Sequence, residues 1–211
     1  MEATNLQLET ECKRQAGRPR SEVARRAILD SAYSFLEEKP IAEISTIHIA
    51  QKAGVSTATV YRWWQTKEAL LLEALLYRHG HEVVLGDLGT PLERLRDYVM
   101  QVARFFTGEH GIVVARLLTA IQDNATLRKE FVERIYTPRD RDSREVVEAA
   151  IREGQLPAAT QVDLFLDTVF GTLLTRLLIR HEPIDEAYVL SAFELVVAGT
   201  NAVAASAATP V

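Results

Sequence analysis

The chain has 211 residues, 47% of them hydrophobic, and a formal net charge of −5, enough apolar material for one large or two small packed cores. A single cysteine, Cys12, excludes an intramolecular disulfide and fits a reducing compartment. The start shows no basic segment leading into an apolar run, and no uninterrupted apolar stretch reaches the ~18 residues of a membrane span, so the expectation is a soluble cytoplasmic protein without a membrane partner.

Charge is unevenly divided. Residues 1–67 carry ten Lys/Arg against eight Asp/Glu, whereas residues 68–211 carry fourteen against twenty-one. Between positions 13 and 26, Lys13, Arg14, Arg18, Arg20, Arg25 and Arg26 face only Glu22. A basic end on an acidic body suits one pole that meets a polyanion, although a solvated basic tail gives the same count.

Residues 1–20 are polar, include Gly17 and Pro19, and predict a flexible basic arm. Ser21 then caps a helix to about Lys39, with Val23, Ala27, Ile28, Ala32, Phe35 and Leu36 on one face, and Pro40 ends it. Ser45 or Thr46 caps a second helix through Ala53, and Gly54 supplies the positive φ of a sharp turn. Ser56 caps a third helix to about Trp63. Thr66 caps a fourth, from Lys67 to about His79, which buries Leu70, Leu71, Ala74, Leu75 and Leu76. After a loop at Gly86, Gly89 and Pro91, apolar residues from Leu92 through Phe106 recur at helical spacing. A short apolar helix follows at Ile112–Ile121, then a helical run over 126–153 that Pro138 kinks or divides by removing a backbone donor. Two long helices, about 161–181 and 185–206, lie either side of Pro183. No segment alternates as a strand, so the fold class is all-α.

Those last two helices are apolar on more than one face, from Val169 to Ile179 and again from Phe193 to Val197. Such helices are buried on several sides. They pack either against their own domain and a second subunit, or at the centre of a monomer core.

The second and third helices carry the most specific signal. In the third, Thr57 and Tyr61 lie one turn apart, as do Ala58 and Arg62, and together they make an adjoining polar face. Val60 and Trp64 form the neighbouring apolar stripe, which locks the helix to Ile47, Ile49, Ala50 and Ala53. The short side chains of Ser56, Thr57, Ala58 and Thr59 allow close approach to base edges, where hydroxyls exchange hydrogen bonds and methyls meet thymine. Tyr61, Trp63 and Lys67 suit phosphate, as does Thr46 at the start of the second helix.

Three stretches carry a family resemblance: Gly17-Arg-Pro-Arg20, Thr46-Ile-x-Ile-Ala-x-x-Ala-Gly-Val-Ser56, and Thr59-Val-Tyr-Arg-Trp-Trp-x-x-Lys-Glu-Ala-Leu70. Over residues 17–76 the chain resembles the TetR/AcrR family of bacterial transcriptional regulators. The resemblance implies three parts: a basic arm at 1–20, a helix-turn-helix DNA-binding domain at 21–67 with its motif at about 45–64, and a helical effector-binding and dimerisation domain at 68–211. It further implies a homodimer, paired through helices 161–181 and 185–206, that binds a palindromic double-stranded DNA operator, usually as a repressor. Tyr61 and Lys67 would contact phosphate and Trp64 would anchor the core. The family commonly has aromatic-aromatic-His-Phe where this chain has Tyr61-Arg-Trp-Trp64, which leaves Arg62 between base and phosphate and Trp63 between core and DNA.

The resemblance also implies a pocket for an unknown small-molecule effector between about 90 and 180, for which Phe105, Phe106, Leu117, Ile121, Tyr136, Phe165 and Thr168 are candidate lining residues, favouring an apolar or aromatic ligand. Residues of these types more often fill ordinary core, and periodicity does not tell the two apart. His79-x-His81 with Glu82 reads as solvated neighbours at a helix end, so no metal is expected there, nor any other cofactor. The chain contains no Glu-x-x-His pair, phosphate-binding glycine loop or recognisable nucleophile arrangement. An all-α enzyme or adaptor without DNA-binding activity is the alternative, and an adaptor would leave the basic arm and the Thr57/Tyr61 face unexplained.

Overall fold

Apolar residues recur at helical spacing through the chain, and the computed structural model, which describes residues 18–108 and 110–207, turns each run into helix with no strand among the described residues. Two units form, one ending at Arg78 and the other beginning at His79.

The first unit contains α1 (Arg18–Glu38), a short 3-10 turn at Ile41–Glu43, α2 (Thr46–Lys52), α3 (Thr57–Trp63) and α4 (Lys67–His79), whose last residue opens the second unit. Helix α1 starts before Ser21, so Ser21 lies inside it rather than capping it. Pro19 is tolerated in the first turn, where its missing N–H would have had no partner. The rest of the expected arm, residues 1–17, lies outside the described residues. Ile28, Leu29, Ala32 and Leu36 of α1 meet Ile49 and Ala50 of α2, Val60 of α3, Trp64 and Leu70, Leu71 and Ala74 of α4 in the core, each no more than 4% exposed. Burial of a Leu or Ile side chain contributes about 1.5–3 kcal/mol relative to exposure.

Two expected core residues are exposed instead. Val23 is 68% exposed, because it stands about 140° round the helix from Ile28. Ile47 is 57% exposed, on the side of α2 opposite the fully buried Ile49. The end of α2 is instead tied to α1 by Lys52, whose ammonium donates to Ser34 Oγ at 2.6 Å and Glu38 Oε1 at 3.1 Å and stands over the Phe35 ring.

The second unit contains α5 (Pro91–Thr107), α6 (Gly111–Asp123), α7 (Ala125–Phe131), α8 (Thr137–Arg152), α9 (Val162–Thr175) and α10 (Glu186–Ala207). Its core joins Leu95, Val99, Met100 and Ala103 of α5 to Val146, Val147 and Ala150 of α8, Phe165, Leu166, Val169 and Leu173 of α9, and Val189 and Phe193 of α10. Helix α5 opens on a reciprocal cap between Thr90 and Glu93, with Pro91 in its first turn. Pro138 divides the 126–153 run as its missing N–H requires: the chain widens into a π-helical turn at Val132–Tyr136, where Thr137 N–H donates to the Val132 carbonyl.

Helix α10 corrects one expectation from sequence. Its segment Glu186–Ser206 is, by length and composition, apolar enough to cross a membrane. Thr200, Asn201 and Ser206 interrupt the apolar run without offsetting it. Much of the helix is uncovered, with Leu195 73% and Val203 72% exposed.

Candidate nucleic-acid interface

The geometry of α3 begins with the turn that precedes it. Gly54 has φ +66°, its N–H donates to the Gln51 carbonyl at 3.1 Å, and Val55 N–H donates to Ala50 at 3.0 Å. This pair closes the C-terminus of α2 and reverses the chain; a residue with a Cβ would be strained at that φ. Each helix then receives a serine cap. Ser45 Oγ accepts from Ile47 N–H, and Ser56 Oγ accepts from Thr59 N–H, both at 3.2 Å. Tight reversal plus two caps allows two helices of only seven residues to hold a fixed relation.

Burial divides α3 into faces. Val60 is 1% and the following Trp64 4% exposed, so this stripe anchors the helix. Ala58, Tyr61 and Arg62 are exposed and Thr57 partly so. Ser56 and Thr59 serve the cap, their hydroxyls lying 3.0 Å apart. The side chains offered outward from the α3 face are therefore Thr57, Ala58, Tyr61 and Arg62.

The remaining three candidates sit less openly. Thr46 is only 8% exposed, since the cap at Ser45 turns it inward as the first residue of α2. Lys67 is partly buried and donates from Nζ to the Ile41 carbonyl at 3.1 Å, which occupies one of its three protons. Trp63 is 39% exposed, with its ring centroid 6.3 Å from that of Trp64.

Sequence reasoning missed the residue that orders these two rings. The Arg25 guanidinium lies 5.8 Å from the Trp63 centroid and 5.9 Å from that of Trp64. It pairs with Glu73 of α4 and stands 3.5 Å from Glu22. Cation–aromatic contacts of this kind contribute about 0.5–1 kcal/mol each at partly exposed sites. No local pattern reveals a partnership that joins α1, the end of α3 and the middle of α4.

The seven effector candidates scatter. Phe165 packs edge-on against Phe193 in the main core, and Phe106 lies against that core. Leu117 and Ile121 are buried on α6, and Phe105 is half-buried. Tyr136 is 51% exposed. Thr168 is exposed, with its hydroxyl donating to the Leu164 carbonyl of its own helix at 2.6 Å. An open groove of about 470 Å³ is lined instead by Arg96, Asp97, Met100, Gln101, Arg104, Glu186 and Leu190, none of the seven. Its lining combines the charged Arg96, Asp97, Arg104 and Glu186 with the apolar Met100 and Leu190.

A capped, core-anchored second helix with a small polar face, following a tight turn from its partner helix, defines a helix-turn-helix DNA-binding protein. Residues 28–74 match the bacterial regulatory proteins of the tetR family, and residues 85–196 match the tetracyclin repressor-like C-terminal domain. The HTH-type transcriptional regulator YdeS of Bacillus subtilis is 31% identical over 173 residues, spanning 82% of this chain and 87% of that protein. The solved structure of the TetR family transcription regulator SCO0332 superposes with a TM-score of 0.68 at 25% identity, over 83% of this chain and 97% of that one. The regulator FadR from Bacillus subtilis, solved in complex with stearoyl-CoA, also gives 0.68, at 22% identity over 82% and 98%. The chain belongs to the TetR family: it is a DNA-binding regulator of transcription and not an enzyme.

Proposed function

We propose that this regulator works in the cytoplasm as a homodimer whose two α3 helices bind a palindromic operator, repressing transcription until a small-molecule effector releases it. The observation that carries the reading is the division of α3: Val60 is locked in the core while Ala58, Tyr61 and Arg62 stand open beside Thr57. Ala58 and the Thr57 methyl suit thymine, the Thr57 hydroxyl and Arg62 suit base edges or phosphate, and Tyr61 suits phosphate.

Pairing is supported by the uncovered apolar surface of the last helices. Leu164 of α9, Ile179, and Leu195 and Val203 of α10 are 60–75% exposed. A protein that regulates transcription gains by burying such a surface against a second copy of itself. Two-fold pairing would set two α3 helices ~34 Å apart, one turn of duplex, to occupy successive major grooves. An effector that prefers a dimer of different spacing weakens operator binding, and operator weakens effector binding by the same factor. The likeness to FadR makes stearoyl-CoA the first effector to assay.

Sedimentation of the protein alone and with a palindromic duplex selected from random DNA tests the assembly. Two chains are expected in the free protein and two on each operator. Leu195→Glu should yield monomers with operator affinity reduced at least tenfold. A wild-type monomer that binds the operator as tightly as Leu195→Glu would contradict the reading.

A further inference from the structure

We propose that His79, Glu82 and His110 form a binding site for a divalent transition ion of the Zn²⁺ type. The expectation from sequence concerned His79 and His81, but His81 is exposed and the fold brings a different histidine to the carboxylate. His79 is the last residue of α4 and is only 6% exposed. The chain then turns back, with Glu82 N–H donating to the His79 carbonyl at 3.1 Å, which returns the Glu82 carboxylate to the same ring. Nδ1 of His79 lies 2.6 Å from Oε1 of Glu82, and Nε2 of His110 lies 3.7 Å from Oε2. One carboxylate is thus shared between two histidines separated by thirty residues of chain.

Several features shape the group. The His79 and His110 ring centroids are 3.6 Å apart, and the Phe105 ring flanks both, at 5.9 and 5.5 Å, as an apolar wall. His110 precedes the first residue of α6, Gly111, where a Cβ would collide with the Phe106 carbonyl. Glycine at that position lets α6 start hard against the end of α5, and this close approach brings His110 to Phe105 and His79. One ligand atom from each of the three residues lies within 4.8 Å of the others. A tetrahedral zinc ion with ligands at 2.0–2.2 Å needs them ~3.3 Å apart. Binding would therefore require the 2.6 Å pair to open and the wider ones to close.

The donor set selects the metal. Two imidazoles and one carboxylate suit Zn²⁺ and its neighbours, whereas Mg²⁺ and Ca²⁺ prefer oxygen alone. Three protein ligands leave a fourth position for water, so the ion would be exchangeable.

Titration of the metal-free full-length chain with Co²⁺, followed by its visible absorption, and with Zn²⁺, followed by calorimetry, tests the assignment. One ion per chain is expected, with a tetrahedral Co²⁺ spectrum that Zn²⁺ abolishes. His110→Ala and Glu82→Gln should each weaken binding at least tenfold while retaining the wild-type circular dichroism, and His81→Ala should bind as wild type does. Absence of saturable binding overturns the proposal. So does undiminished binding by both His110→Ala and Glu82→Gln, or a loss on His81→Ala that matches theirs. None of these readouts depends on DNA, so the site and the operator reading stand or fall separately.

Discussion

At Lys67 a single side chain combines two demands. Its ammonium donates to the Ile41 carbonyl, which steadies the start of α4 against the 3-10 turn, yet two protons remain for other acceptors. Lys67→Ala should therefore lose about 1 kcal/mol of stability from the broken bond. If the ammonium also meets a phosphate, the slope of log affinity against log salt becomes shallower by about 0.9. Salt-dependent operator binding together with urea melts separates the two effects, and a stability loss with an unchanged slope would make Lys67 purely structural. Thr46 shows why such roles are hard to read from sequence: either it or Ser45 satisfies the cap pattern, and only the folded turn decides that Ser45 caps while Thr46 is buried.

Among the elements, α5 has the most completely specified start. The Glu93 carboxylate accepts from Thr90 N–H at 2.9 Å, and the Thr90 hydroxyl accepts in return from Glu93 N–H. Donation to the carboxylate from the Thr90 backbone N–H first, then from the Thr90 side chain, holds the Glu93 carboxyl below its ordinary value of 4.5. The folded chain thus binds that proton less readily than the unfolded chain. Its contribution to stability is complete above 4.5 and is lost as pH falls through the lowered value. Glu93→Ala should be less stable than wild type at neutral pH, with the gap narrowing progressively below 4.5. Thermal melts over a pH series measure this, and a gap that stays constant into acid would contradict it.

Much of the element order was legible because its determinants are local. Gly54 with its positive φ, Ser56 as a cap, Pro138 as a break and Thr66 at the start of α4 all act within a few residues of themselves. Faces were less legible than helices. Val23 continues an apparent apolar stripe by i, i+4 spacing with Ala27, but which side of α1 meets α2 is decided by Ile28, Leu29 and Ala32. Contacts between distant segments were not legible at all. Arg25 reaching Glu73, and His110 reaching Glu82, depend on where helices end in space, which periodicity does not encode.

For the whole molecule, the chain's division of labour follows from two separate cores. The unit ending at Arg78 presents the α3 face proposed to meet DNA, and the unit from His79 onward carries the long apolar α10 and the open groove. A helix apolar enough to span a bilayer takes a different meaning in a family of DNA-binding regulators: it is the surface proposed to pair with a second copy. Pocket lining and ordinary core share one residue chemistry, and among the effector candidates Phe165 and Leu117 are buried in packed cores. The central claim remains that α3 reads DNA through an outward face that the fold does not need. Fluorescence anisotropy on the selected operator, with wild type and a Thr57→Ala plus Tyr61→Phe variant, tests it most directly. The account predicts at least a tenfold loss of operator affinity with the melting temperature and dimerisation unchanged. Unchanged affinity, or a loss of affinity that merely follows a collapse in stability, would contradict it.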